Sequence, residues 1–158
     1  MRRKDREIVD REVIEKIIKE CECCRISLVD KEKDEAYIVP LNFGYEKLED
    51  KIIFYFHGAK EGRKINLINK NNKASFQMDT DHKLNEAEKA CGYSYRFASI
   101  MGIGKIFLIN SKEEKIKALS LIMRQYTGRD KWDFEEKMLE ATEVIKLEVE
   151  QLTCKVHG

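Results

Sequence analysis

The chain has 158 residues, of which 42% are hydrophobic and 37% charged, with 30 basic and 29 acidic side chains for a formal charge of +1. That length is enough for one domain (1–158) to bury its own core, with 1–9 expected as a flexible arm. The near balance of charge supplies no broad field for nucleic acid or an anionic membrane. Uncharged runs such as Phe97 to Gly104 are too short to span a bilayer, and Met1-Arg2-Arg3-Lys4-Asp5-Arg6 leads into no apolar segment, so a cytoplasmic location is expected.

Asp10 is placed to cap a helix whose apolar positions Val13, Ile14, Ile17, Ile18 and Cys21 recur at helical spacing. The five cysteines are an odd number, which points to reduced thiols. Cys21-Glu22-Cys23-Cys24 invites a metal reading, but no partner pair follows it; no metal site is expected. The alternative is that Cys21 closes the helix face and Cys24 begins a strand. From Cys24 the period becomes two, with Ile26 and Leu28 alternating with Arg25 and Ser27. A charged turn over 30–34 then leads to a second strand over 35–43, where Pro40 marks an edge or an interrupted ladder.

After a turn around 46–50, the β-branched and aromatic run Lys51-Ile52-Ile53-Phe54-Tyr55-Phe56 predicts a strand that delivers His57 to its end. A short helix is read over 62–69, a strand through Ala74, Phe76 and Met78, and a loop over 80–91 with room for one helical turn. The long apolar run from Tyr93 to Ile109 predicts the central strand, interrupted by Gly102 and Gly104 as at a bulge or a ligand contact. Ser111 and Glu114 form a capping-box signature for a helix that Gly128 can end. A further capped helix from Asp133 and a strand through Ile145, Leu147 and Val149 complete the chain. Several strands with few helices, in no strict alternation, predict an α+β, mainly antiparallel barrel.

No Rossmann or Walker loop is present, since Gly102-Ile103-Gly104 lacks a third glycine and lies within a strand; no nucleophile elbow appears either. The stretch His57-Gly58-Ala59-Lys60-Glu61-Gly62-Arg63-Lys64 is the most informative. A strand end followed by glycines and paired cations at a helix start suits a phosphate, because unpaired helix N–H groups and the helix dipole favour an anion there. A solvated basic turn is the other reading.

The run Val39-Pro40-Leu41-Asn42-Phe43-Gly44-Tyr45, then Phe56-His57-Gly58-Ala59 with Gly62-Arg63-Lys64, then Tyr95 to Lys105, the Glu114 to Met123 helix and Thr153-Cys154-Lys155 occur in the order of one family. Together they resemble the nitroimidazole-resistance (Nim) branch of the pyridoxamine 5'-phosphate oxidase-like FMN-binding split-barrel proteins. Three positions depart from it: Gly58 for a serine, Asn71-Asn72 for Asn-Pro, and Cys154 for a glycine. The resemblance implies a six-stranded split β-barrel with flanking helices that forms a homodimer, with a flavin, FMN or else FAD, in a groove between subunits. By position, Val39, Pro40, Leu41 and Asn42 would line the ring edge largely through backbone. Gly62, Arg63 and Lys64 would hold the phosphate, and Ser99, Ile100 and Met101 would flank the flavin. His57 matches the histidine that acts near it, as proton donor or positioning residue. The implied activity is passage of electrons from reduced flavin to a small flat acceptor such as a nitroimidazole or quinone. A flavin-holding sensor or reservoir without turnover is the alternative.

Overall fold

A computed structural model describes residues 3–49 and 51–158. In chain order its elements are β1 (Glu7–Ile8), α1 (Arg11–Glu20), β2 (Cys24–Asp30), β3 (Glu35–Leu41), β4 (Gly44–Leu48), β5 (Lys51–Ala59), α2 (Arg63–Lys70), β6 (Lys73–Asn85), β7 (Ser94–Leu108), α3 (Lys112–Thr127), α4 (Glu136–Ala141) and β8 (Thr142–His157). All pairings are antiparallel, in the order β3-β2-β6-β7-β8-β5-β4, with β1 added to β8. Six strands have seven or more residues, and β1 and β4 are the short additions. The sheet is open, its ends formed by β3 and β4, as in a split barrel. Within the segment 1–9, Glu7 and Ile8 pair with Lys155 and Cys154.

The helix starts obey local capping. The Asp10 carboxylate accepts from the amides of Glu12 and Val13 at 2.8 and 3.3 Å, and Ser111 Oγ accepts from the Glu114 amide at 3.3 Å. Ile14, Ile17, Ile18 and Cys21 are buried as their spacing requires. Val13, expected among them, is 40% exposed because it lies about a quarter turn from the middle of that stripe. Gly128 ends α3 with φ +70°, the left-handed conformation that glycine adopts without strain. Gln125 near that end donates to the carbonyls of Lys19 and Cys21, closing the last turn of α1.

Pro40 lies on β3, at the sheet edge, where a missing N–H costs no ladder bond. β7 is the middle strand, and its register with β8 shifts between Ile103 and Gly104. Backbones approach closely there. A Cβ on Gly102 would lie 2.4 Å from the Gln151 carbonyl oxygen and 2.5 Å from the Phe76 ring, and one on Gly104 would lie 2.2 Å from the Glu148 carbonyl oxygen.

Three expectations need correction. The region 80–91 is not a loop throughout: β6 runs on to Asn85, with a register shift between Thr80 and Lys83 and Asp81 at φ +59°, and a 3-10 turn follows at Ala90–Gly92. This ribbon pairs with β7 beyond the core, so no alternation marks it. The turn expected at 46–50 is largely strand, since β4 reaches Leu48 before Glu49 turns at φ +53°. The helix expected from Asp133 begins at Glu136, with no side-chain cap.

The barrel core holds Ile26, Phe43, Phe54, Phe56, Met78 and Ile100, with Phe54 edge-on to Phe43 and Phe76 at 5.7 and 5.2 Å between ring centres. A second cluster of Ile53, Tyr55, Ala118, Ile122 and Val144 seats α3 on the reverse of β5 and β8. Cys21 and Cys24 are core residues, and burial pushes both thiols up, Cys21 to about 12, which keeps them protonated and unreactive. No described helix is long and apolar enough to cross a membrane.

Candidate functional site

The eight-residue stretch from His57 to Lys64 folds into a cationic corner. β5 ends at Ala59, Gly62 takes φ +123°, and α2 starts at Arg63. Gly62 offers no side chain to cap α2, and the first turn holds no acidic residue, so the outward amides of that turn have no side-chain acceptor. Lys64 is half-buried, with its Nζ folded over Gly58: a Cβ there would lie 2.6 Å from Nζ and 3.3 Å from Cε. The absent side chain at 58, where the resemblance has serine, is thus what seats the ammonium. No described carboxylate pairs with Lys64, and burial lowers its pKa from the ordinary lysine value. The partly exposed His57 imidazole is also lowered, first by burial and then by Lys64, so it is neutral at pH 7.

Arg63 is engaged differently. Its guanidinium donates to Asp30 Oδ2 at 2.8 Å through Nη2 and at 3.2 Å through Nε, pairs with Glu35, and stacks 4.6 Å over the Tyr37 ring. Asp30 is 6% exposed, and Arg63 holds its carboxyl below the usual range. Arg63 therefore ties α2 to the β2–β3 turn, and Lys64 is the cation of the pair whose charge is not already compensated.

The other expected residues lie on the broad sheet. Pro40, Arg25, Gln77, Met101 and Thr153 form one row across β3, β2, β6, β7 and β8. Val39, Leu41 and Ile100 turn to the opposite face and pack in or against the core, so any part they take in binding is through backbone. Ser99 and Met101 face outward, Met101 at 57% exposure, and the exposed Ile38 and Ile103 extend this apolar face. Asn42 stands just past β3, near the Tyr126 hydroxyl, which accepts from the Phe43 amide and donates to the Glu22 carbonyl. Sequence reading missed the polar set on this face: Arg25 Nη1 donates to Gln77 and Asp79 at 3.1 and 2.6 Å, and His82 Nε2 lies 2.8 Å from Asp79. Arg25 and Gln77 carried one signal, alternation with buried neighbours, whereas His82 lies on the ribbon where no alternation marks it. That they meet depends on the non-local pairing of β2 with β6.

One chain does not bring all these residues together. His57 pairs with Val144, whose carbonyl accepts from Ile109, and Ile109 is eight residues beyond Met101, roughly 26 Å along a strand. Arg63, at Asp30, is likewise about 17 Å along β2 from the row of Pro40.

An open antiparallel split barrel with a cation-lined helix start and a bare sheet face defines the class. The sequence profile described as pyridoxamine 5'-phosphate oxidase matches residues 10–156, and the chain belongs to that family. A candidate 5-nitroimidazole antibiotic resistance protein from Bacteroides thetaiotaomicron is 37% identical, with 95% of this chain and 86% of that chain covered and a TM-score of 0.81. A flavocytochrome from Azotobacter vinelandii (20% identity, 100% and 72% covered, TM-score 0.80) shares the fold. So does an FAD and heme binding protein from Mycobacterium smegmatis (15%, 96% and 73%, 0.77). No curated protein matches the sequence.

Proposed function

We propose that this protein is a flavin-dependent oxidoreductase of the nitroimidazole-reductase type that binds FMN between two copies of the chain. The observation that carries the reading is the start of α2, where uncapped amides and an uncompensated, half-buried ammonium make a seat for a phosphate. Family membership and the 37% identical candidate resistance protein support the class of activity. The wide separation of His57 and Lys64 from Ser99 and Met101 supports a shared groove. In such a groove the α2 corner of one copy would face the bare sheet of the other, with the apolar Ile38, Met101 and Ile103 covered in the process.

In that arrangement Lys64 and the amides of Gly62, Arg63 and Lys64 would hold the phosphate. Backbone of Val39, Pro40, Leu41 and Asn42, with Ser99, Ile100 and Met101, would line the ring. When bound, the flavin supplies the redox chemistry, by which electrons reach a small flat acceptor such as a nitroimidazole or quinone. His57 is neutral at pH 7, so it can accept a proton or position an acceptor through its N–H. A phosphate beside Lys64 would offset the repulsion that lowers its pKa and make it a better proton donor.

The test is reductase turnover of flavin-loaded protein with a nitroimidazole and a quinone. His57→Ala is expected to keep its flavin and lose about 100-fold in turnover. A yellow parent protein that reduces neither acceptor would make this a flavin-holding protein, and loss of flavin in His57→Ala would make His57 a cofactor ligand.

A further inference from the structure

A cavity of about 860 Å³ lies between α1, the free edge of β4 and α3, away from the α2 corner, with Tyr45 and Leu121 at its floor. It adjoins a smaller chamber of about 330 Å³ walled by Ile8, Ile14, Ile52 and Leu152. The two share Glu15, Tyr45 and Lys47, so a polar cavity and an apolar one adjoin at these residues.

Two features point to a ligand. Tyr45 is 6% exposed and packs on Phe54, yet no described residue hydrogen-bonds its hydroxyl. No described polar side-chain atom is both sealed from solvent and unpartnered, so the hydroxyl faces the cleft that Tyr45 lines. The Tyr45 ring is buried while its hydroxyl opens into the cleft, so a ligand seated there meets a donor that no described protein group occupies. The second feature is charge. Four cations line the polar cavity, Lys19, Lys47, Lys117 and Arg124, against three acids, Glu15, Glu46 and Asp130. Glu15 is shared by Lys19 at 3.0 Å and Lys47 at 3.5 Å, whereas Lys117 has Glu46 and Arg124 has Asp130. The surplus cation therefore sits at Lys19 and Lys47, beside Tyr45. The apolar chamber adds one charge of each sign, Glu7 and Arg11.

We infer that this cleft binds a small monocarboxylate with an aryl or alkyl body, independently of the flavin reading. The carboxylate accepts from the Tyr45 hydroxyl and completes the charge of Lys19 and Lys47, while the body fills the chamber of Ile8, Ile14, Ile52 and Leu152. Burial, with Glu15 nearby, pushes the Tyr45 hydroxyl up to about 12, which keeps it a donor throughout the neutral range. Size is consistent, since each of the two cavities lies within the roughly 300 to 1,000 Å³ of small-molecule sites.

The probe is 4-phenylbutyrate, titrated into the full-length, isotopically labelled protein with whatever cofactor it carries, and followed by amide NMR shifts. Saturable shifts are expected at Tyr45, Lys47, Ile52 and Leu152, with the neutral 4-phenylbutyramide bound at least about tenfold more weakly. Tyr45→Phe keeps the ring packing and should weaken the acid by about tenfold, as the loss of one hydrogen bond to a charged group implies. Lys47→Gln should weaken the acid and leave the amide unchanged, and flavin content should be the same in both variants. Absence of saturable shifts around Tyr45, equal affinity for acid and amide, or Tyr45→Phe binding like the parent would each overturn the assignment.

Discussion

Lys64→Met removes the ammonium over Gly58 and keeps most of its stem, so it isolates one charge at the α2 corner. A hydrogen bond to a charged group contributes about 1.5 to 3 kcal/mol, and each 1.4 kcal/mol is a factor of ten, which predicts roughly a 10- to 150-fold loss of FMN affinity. The upper half of that range is expected, because Lys64 is half-buried and has no described carboxylate to compensate it. Riboflavin lacks the phosphate and should bind Lys64→Met and parent alike. Gly58→Ala is the companion variant: its Cβ would fall 2.6 Å from Lys64 Nζ, so the flexible ammonium yields rather than the backbone, and an intermediate loss of FMN follows. Arg63→Met should behave differently. It leaves the carboxylate of Asp30 without its guanidinium and lowers thermal stability, whichever flavin is offered. The assay is quenching of flavin fluorescence on titration with protein. FMN bound by Lys64→Met as tightly as by the parent, or FMN and riboflavin weakened equally, would refute the phosphate seat.

His57 should titrate below 6.5, with its pKa rising in Lys64→Met and on addition of FMN but not riboflavin; imidazole NMR measures it, and a parent value at or above 6.5 would contradict the structure. Because the folded value is depressed, the unfolded chain takes up the proton first. The contribution of His57 to stability is thus complete above pH 6.5 and lost as pH falls through the folded value, and His57→Gln should flatten that part of the stability profile. Gly102→Ala puts a methyl into the Gln151 carbonyl and the Phe76 ring, a cost of about 1 to 3 kcal/mol or a Tm lower by roughly 2 to 12 °C; an unchanged calorimetric Tm would show that the strands can part there. The parent should have the solution mass of a dimer, and Met101→Lys with Ile103→Glu should convert it to monomers that lose flavin. A monomeric parent with tight flavin would remove the shared groove.

Much of this architecture was legible because local rules and tertiary demands agree. Asp10, Ser111 and Gly128 sit where capping chemistry puts them, and Ile14, Ile17 and Ile18 follow a single stripe. Pro40 could be read as an edge residue because the lack of one N–H is tolerated in few places. The misses came where no core enforces a pattern: β6 beyond Thr80 is a ribbon with solvent on both sides, so its strand character comes only from pairing with β7. The cationic corner was legible as a cluster of types, Gly62-Arg63-Lys64, but not as a division of labour. That Arg63 answers Asp30 and Glu35 while Lys64 stays uncompensated depends on residues more than twenty positions away. The Tyr45 cleft left no mark in the sequence, for its walls come from α1, β4 and α3 and their side chains read individually as ordinary surface charges.

Whether the chain holds a flavin by its phosphate is decided by the visible absorption spectrum of freshly purified protein, followed by identification of the released cofactor. A yellow protein with the absorption of oxidised flavin is expected, which releases FMN on denaturation and, once stripped, regains it in preference to riboflavin. A colourless protein that takes up neither FMN nor riboflavin when they are supplied would contradict that expectation.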